Sequence, residues 1–129
     1  MARRIADVMT RRVVYLPADT PLDEAAQAMR DQGIGDVVVT QGPAVSGIVT
    51  DRDIVVRAVA EGLAPAKTTL GAIATRELIM IEESATVEEA VQAMRSRAVR
   101  RLVVCDAERN AVGLLSLSDI ALLPLPSAA

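Results

Sequence analysis

The sequence predicts a mixed α/β protein (α+β) built from two copies of one β-α-β-β-α unit. Two observations predict this fold class: the chain repeats itself at a fixed spacing, and each copy alternates short apolar stretches with amphipathic helices. The segment Leu22–Arg30 returns as Val87–Arg95, so the spacing is 87 − 22 = 65 residues. A unit of this size cannot cover both faces of its sheet. We therefore expect the two copies to pack sheet to sheet about a pseudo-twofold axis.

The repeat also sets the domain boundaries that we expect. With one extra residue in the second copy, Gly47–Thr50 corresponds to Gly113–Ser116. Between the copies, residues 62–67 have the composition of a linker. The expected boundaries are residues 1–61 for the first unit, 62–68 for the linker, 69–123 for the second unit and 124–129 for a C-terminal tail.

Each copy contains the same elements in the same order. An apolar stretch, which we predict to be a strand, precedes a helix whose apolar residues recur at helical spacing. Residues of the capping type stand before each helix, at 19–21 and 84–86. Two further strands and a second helix complete the unit. The predicted strands are Val13–Leu16, Val37–Thr40, Val45–Val49, Leu78–Ile81, Leu102–Cys105 and Val112–Leu115.

The composition excludes several classes of protein. The 129 residues include no His and one Cys, which argues against Ser-His-Asp and Cys-His catalysis, the usual zinc sites and an internal disulfide. Aromatic residues make up 1% and the net charge is −3, so neither base stacking nor a basic surface favours nucleic acid. No apolar run approaches the roughly 20 residues that span a bilayer. We expect a cytoplasmic, non-enzymatic protein with no metal, nucleic-acid or membrane partner.

The motif Gly-apolar-apolar-Thr/Ser-x-x-Asp joins the third strand to the second helix in each copy, as Gly47–Asp53 and Gly113–Asp119. A hydroxyl at this junction caps the helix beside unpaired N–H groups at the positive end of the helix dipole, which suits a phosphate. A carboxylate three residues later can accept hydrogen bonds from both hydroxyls of a ribose. A helix cap without a ligand uses the same residue types. The candidates are Thr50 and Ser116 for phosphate and Asp53 and Asp119 for ribose.

With this motif present twice in register, the chain resembles a tandem pair of cystathionine-β-synthase (CBS) domains, or Bateman module, of the stand-alone bacterial type. The second copy is also similar to the adenylate-sensing repeats of AMP-activated kinase γ subunits. The resemblance implies that an adenine nucleotide binds in a cleft between the two units: AMP or a relative such as ADP, ATP or S-adenosylmethionine. It also implies aliphatic contacts to the base, for which core packing is the alternative role. These residues are Val14, Ile34 and Ile48 in the first copy and Ile79, Val99 and Leu114 in the second.

The copies differ in charge just before the second of their three strands. The second copy has Arg100 and Arg101, which match basic phosphate-contacting positions of the kinase γ subunits. The first copy has Gly35 and Asp36 instead, and a carboxylate repels a phosphate. We therefore expect one competent cleft, while the other is empty or holds an uncharged nucleoside. Solvated surface cations are the alternative role for the two arginines. The competent cleft is expected to contain Ser116, Asp119, Arg100 and Arg101.

These patterns favour a regulatory module that senses cellular energy by binding an AMP-like nucleotide and signals to an unidentified partner protein through a conformational change. The resemblance implies a disc-like homodimer. The alternative is a ligand-independent, stress-linked dimeric scaffold with vestigial clefts, which Asp36 favours. The expected dimer interface comprises Ile54, Val55, Val59, Ile120 and Leu123.

Overall fold

The computed structural model describes residues 3–121 and confirms the mixed α/β class, with two three-stranded sheets. In each sheet the first strand is parallel to the second, and the third is antiparallel to the second. Within the described range, no helix is both long and apolar enough to cross a bilayer. The strands are β1 (Tyr15–Pro17), β2 (Asp36–Gln41), β3 (Ala44–Thr50), β4 (Met80–Glu82), β5 (Arg101–Cys105) and β6 (Ala111–Ser116). The helices are α1 (Leu22–Gln32), α2 (Asp51–Ile54), α3 (Leu70–Ile73), α4 (Val87–Arg97) and α5 (Leu117–Ala121).

The first strand of each copy begins two residues later than the sequence predicts. The carbonyl of Val14 already accepts a hydrogen bond from the N–H of Val38 at 2.9 Å, but the regular ladder starts at Tyr15. Val14 and its counterpart Ile79 are partly buried against the cores of their units. Their apolar character therefore reflects burial next to the strand rather than membership of it.

The compact units of the structure divide the chain differently from the repeats in the sequence. One unit, here the first unit, is Val13–Leu78. The second unit combines residues 79–121 with residues 3–12, which we call the N-terminal arm. Residues 69–78, which open the second repeat, belong to the first unit, and we call them the linker arm. The segment that opens each repeat thus belongs to the compact unit of the other repeat. The boundaries drawn from the repeat remain a prediction.

Each arm anchors itself by one fully buried aliphatic side chain. Ile5 of the N-terminal arm is buried in the core of the second unit, beside Leu102 and Leu115. Leu70 of the linker arm is buried in the core of the first unit. The two are equivalent by the repeat, because 70 − 5 = 65. Neither the arms nor α3, which carries Leu70, was predicted from the sequence.

The arms also explain the glycine of the repeated motif. Thr10 and Leu114 exchange two backbone hydrogen bonds of 2.8 and 2.9 Å, so that the N-terminal arm pairs with β6. A Cβ atom at Gly113 would lie 2.6 Å from the Thr10 carbonyl oxygen. In the first unit, a Cβ atom at Gly47 would lie 2.9 Å from the carbonyl oxygen of Thr75. The backbone of the arm therefore passes where a side chain would otherwise stand.

The two long helices end in the same left-handed turn but with different residues. Gly33 follows α1 with φ 65°, and Ala98 follows α4 with φ 54°. Glycine adopts positive φ without the clash that a Cβ atom causes. The first copy therefore carries the better residue at this turn.

Replacing Ala98 with Gly is expected to stabilise the protein by roughly 0.5–1 kcal/mol, because it removes the strain of a left-handed alanine. The matched change Gly33→Ala should destabilise by a similar amount, since a Cβ atom there would meet nothing within 4 Å and only the backbone is affected. Urea unfolding of both variants measures the two changes. Equal signs for the two substitutions would contradict this account of the helix ends.

Candidate functional site

The first predicted pair of hydroxyl and carboxylate, Thr50 and Asp53, lies where β3 ends and α2 begins. The N–H of Thr50 donates to Oδ2 of Asp53 at 2.9 Å, and the N–H of Asp53 donates to Oγ1 of Thr50 at 3.1 Å. This is a reciprocal capping box. Thr50 is buried and Asp53 is half-buried. We call this group the first corner.

The second predicted pair, Ser116 and Asp119, has the same geometry where β6 ends and α5 begins. The N–H of Ser116 donates to Oδ2 of Asp119 at 2.9 Å, and the N–H of Asp119 donates to Oγ of Ser116 at 3.2 Å. Oγ of Ser116 also lies 2.7 Å from Oγ of Ser118. Among residues 3–121, Oδ1 of Asp119 has no hydrogen-bond partner. We call this group the second corner.

Strand register pairs one capping residue with an acidic residue and the other with a basic residue. In the first unit Asp36 pairs with Thr50, and in the second unit Arg101 pairs with Ser116. The residue before each of these also contacts its corner through the backbone. The carbonyl of Arg100 accepts the N–H of Leu117 at 2.8 Å, and that of Gly35 accepts the N–H of Asp51 at 2.9 Å. The backbones of both predicted arginines thus lie next to the second corner, that of Arg101 by strand pairing and that of Arg100 through its carbonyl. Arg101 is half-buried there and Arg100 is exposed.

The first turn of α2 carries its own anion, which the sequence analysis missed. Oδ1 of Asp51 accepts the N–H of Arg52 at 2.8 Å. With the N–H of Asp51 donating to the carbonyl of Gly35 and that of Asp53 donating to Thr50, the first three N–H groups of α2 all have partners. The sequence feature that could have indicated this anion is the difference between Asp51 and its counterpart in the second repeat, Leu117.

No carboxylate covers the equivalent N–H group of the second corner. Leu117 replaces Asp51, and within the described part of the chain the N–H of Ser118 has no partner outside its own helix. A backbone donor therefore remains available beside the Ser116 hydroxyl. Such a donor suits a phosphate oxygen.

A cation that was not predicted from the sequence, Arg57, lies against the first corner. Nε of Arg57 lies 3.8 Å from Oδ1 of Asp53, the oxygen that the cap does not use. Nη1 of the same guanidinium donates to the carbonyl of Ile73 at 2.8 Å and to Oγ1 of Thr75 at 3.1 Å. Arg57 thus joins the first corner to the linker arm. Its counterpart in the repeat, Leu123, lies outside the described residues.

The aliphatic residues predicted to contact a base lie in the same unit as their corner. Ile48 and Leu114 are buried, and the other four are partly buried against the core of their own unit. The contacts of those four fit core packing, whereas Ile48 and Leu114 are buried but belong to neither core cluster. For all six, the role in binding a base remains a prediction. The four partly buried residues are Val14, Ile34, Ile79 and Val99.

The residues of the predicted dimer face differ in exposure, and their role as an interface remains a prediction. Ile54 and Ile120 are partly buried against the cores of their own units, because the first turn of each helix turns them inward. Leu123 lies outside the described residues. After Ile54 the chain continues as a π-helix, Val55–Val59, which leaves a compact exposed apolar group. This group is Val55, Val56 and Val59, with 57%, 47% and 59% of their surface exposed.

Comparisons with known proteins agree with these repeats. The model of the CBS domain family matches residues 5–59 and 70–124. The CBS domain-containing protein YhcV of Bacillus subtilis is 31% identical over 117 residues, which cover 91% of this chain and 82% of YhcV. The crystal structure of a conserved protein from Pyrococcus horikoshii has a TM-score of 0.83 at 26% identity, covering 99% of this chain and 98% of that one.

One similar structure contains a nucleotide. The CBS domain protein PAE2072 of Pyrobaculum aerophilum, complexed with AMP, has a TM-score of 0.79 at 27% identity, covering 93% of this chain and 92% of that one. A pair of CBS domains is a regulatory, non-catalytic module. The duplicated corners, the two equivalent sheets and the family match over most of the chain lead to one assignment: this protein belongs to the CBS domain family and carries two CBS domains.

Proposed function

We propose that this CBS-domain protein binds an adenine nucleotide at the second corner and signals its presence to a partner protein. The observation that supports the proposal is the strand register, which pairs Arg101 with Ser116, the residue whose N–H donates to the Asp119 carboxylate. Cation, hydroxyl and carboxylate are the groups needed for a phosphate attached to a ribose. The AMP complex of the similar Pyrobaculum protein supports the choice of ligand.

Each part of the ligand has a matching group at the second corner. The phosphate would accept hydrogen bonds from the Ser116 hydroxyl and the Ser118 N–H, with Arg100 and Arg101 supplying charge. The ribose hydroxyls would donate to Oδ1 of Asp119, the carboxylate oxygen that the cap leaves unused. The base would contact three aliphatic side chains of the same unit. These are Ile79, Val99 and Leu114.

The signal would arise from a difference in nucleotide affinity between two conformations of the protein. A ligand that binds one conformation more tightly shifts the population by that difference in free energy. The exposed valines of the π-helix are the surface on which we place a homodimer contact. The regulated partner is then a protein that distinguishes the two conformations.

Isothermal titration with AMP, ADP, ATP and S-adenosylmethionine tests the proposal. We expect saturable binding of AMP that Asp119→Ala weakens about 10- to 100-fold, because a hydrogen bond to a charged group contributes about 1.5–3 kcal/mol. Asp53→Ala is the matched control, since it removes the same capping acceptor from the first corner. Equal binding by the two variants would contradict the assignment of Asp119.

A second candidate function is a ligand-independent dimeric scaffold. The observation that favours it is that both corners are complete helix caps without any ligand. The scaffold predicts no heat and no thermal shift with any of the four nucleotides. It also predicts a dimer that Val55→Asp and Val59→Asp disrupt in analytical ultracentrifugation.

A further inference from the structure

We infer that the first corner is closed to phosphate-bearing ligands by the chain's own side chains, so that each chain binds one adenine nucleotide, at the second corner. The inference rests on the proposed function and names the residues that set its stoichiometry. Three residues set the first corner apart from the second, and the second repeat replaces each of them. They are Asp36, Asp51 and Arg57, whose counterparts are Arg101, Leu117 and Leu123.

Asp51 takes the place of the phosphate. Its Oδ1 accepts the N–H of Arg52 at 2.8 Å, the equivalent of the Ser118 N–H at the second corner. Its other carboxylate oxygen, Oδ2, would lie 3.3 Å from a Cβ atom built on Gly35, so the carboxylate extends back over the end of the loop before β2. A phosphate brought to this position would lose its backbone donor and meet a negative charge.

Arg57 takes the place of the ribose. Its guanidinium lies across Oδ1 of Asp53, the oxygen that corresponds to the unused Oδ1 of Asp119. Two further hydrogen bonds, to the carbonyl of Ile73 and to Oγ1 of Thr75, hold the guanidinium in this position. A ribose diol would have to displace a cation with three partners. A helix cap alone requires neither Arg57 nor Asp51, since Thr50 and Asp53 already complete it.

Asp36 is a third difference between the corners, given by its place in the sheet. It pairs with Thr50 in the register where the second unit sets Arg101 opposite Ser116. The formal charge at this one position therefore changes by two units between the corners.

Exchanging the three residues tests the inference directly. The variant Asp36→Arg/Asp51→Leu/Arg57→Leu gives the first corner the residues of the second, and we expect its stoichiometry for AMP in isothermal titration to rise from one to two per chain. Asp31→Arg is the matched control, because it changes the net charge by the same two units at an exposed helix position away from the corner. It should leave the stoichiometry at one.

A measurement on the wild-type protein keeps the inference testable if the triple variant does not fold. In amide NMR spectra recorded during an AMP titration, we expect the Ser116 and Ser118 signals to shift and those of Thr50 and Arg52 to stay unchanged. Two AMP molecules per wild-type chain, or shifts at both corners, would overturn this inference while leaving the proposed function intact. A wild-type chain that binds no nucleotide would overturn both.

Discussion

Replacing Gly113 with Ala is expected to lower the free energy of unfolding by about 3 kcal/mol, through overpacking together with lost hydrogen bonds. The new Cβ atom would lie 2.6 Å from the carbonyl oxygen of Thr10 and 3.1 Å from Sδ of Met9. The first of these neighbours is backbone, so it cannot rotate away. The N-terminal arm must therefore move, and the two hydrogen bonds between Thr10 and Leu114 break.

Urea unfolding measures the loss of stability, and amide hydrogen exchange shows where it arises. We expect faster exchange at Thr10 and Leu114 than in the wild-type protein. Gly62→Ala is the control, since Gly62 has φ 72° and open space around it. That substitution should cost about 1 kcal/mol from backbone strain alone. If Gly113→Ala costs no more than Gly62→Ala, the arm does not pack against β6 as described.

Much of the fold could be predicted from the sequence because it depends on local patterns. The repeated helix, the two strands after it and the order of elements all follow from hydrophobic periodicity and from one 65-residue spacing. The capping roles of Ser116 and Asp119 follow from a motif that spans four residues. In each case the residues that interact are close together in the sequence or related by the repeat.

The arms could not be predicted, because their contacts join distant parts of the chain. Ile5 lies in a short segment with no clear period, and nothing local indicates that it packs beside Leu102 and Leu115. The same limit applies at the first corner. Arg57 reads as an exposed helical cation until the structure shows its hydrogen bonds to Ile73 and Thr75.

The difference between the two corners could be predicted from the sequence only in part. The sequence showed that Asp36 and Arg101 differ in charge, and the strand register pairs each of them with a capping residue. It did not show that the Asp51 carboxylate turns back onto the N–H of Arg52, because Asp at the start of a helix is common for electrostatic reasons alone. A charge can be read from sequence, but the atom that it contacts depends on the backbone.

Because each arm packs in the core of the other repeat, a second strong prediction concerns its buried side chain. Truncating that side chain should destabilise the sheet of the other repeat. Ile5→Ala should lower the free energy of unfolding by about 3–4 kcal/mol, since it removes a fully buried aliphatic group and leaves a cavity. Leu70→Ala should have a similar cost for the same reason. Leu63→Ala, at a side chain that is 42% exposed, is the control and should cost less than about 1 kcal/mol.

Hydrogen exchange distinguishes the two arms, because each core belongs to a different sheet. Ile5 contributes to the core behind β5 and β6, although it belongs to the first repeat, so Ile5→Ala should release the amides of Leu102 and Val104 first. Leu70 contributes to the core behind β2, so Leu70→Ala should release those of Val37 and Val39. The opposite pattern would mean that each arm packs on its own repeat. Either substitution would remove a large part of the free energy of unfolding, since the total stability of a protein is typically only about 5–15 kcal/mol.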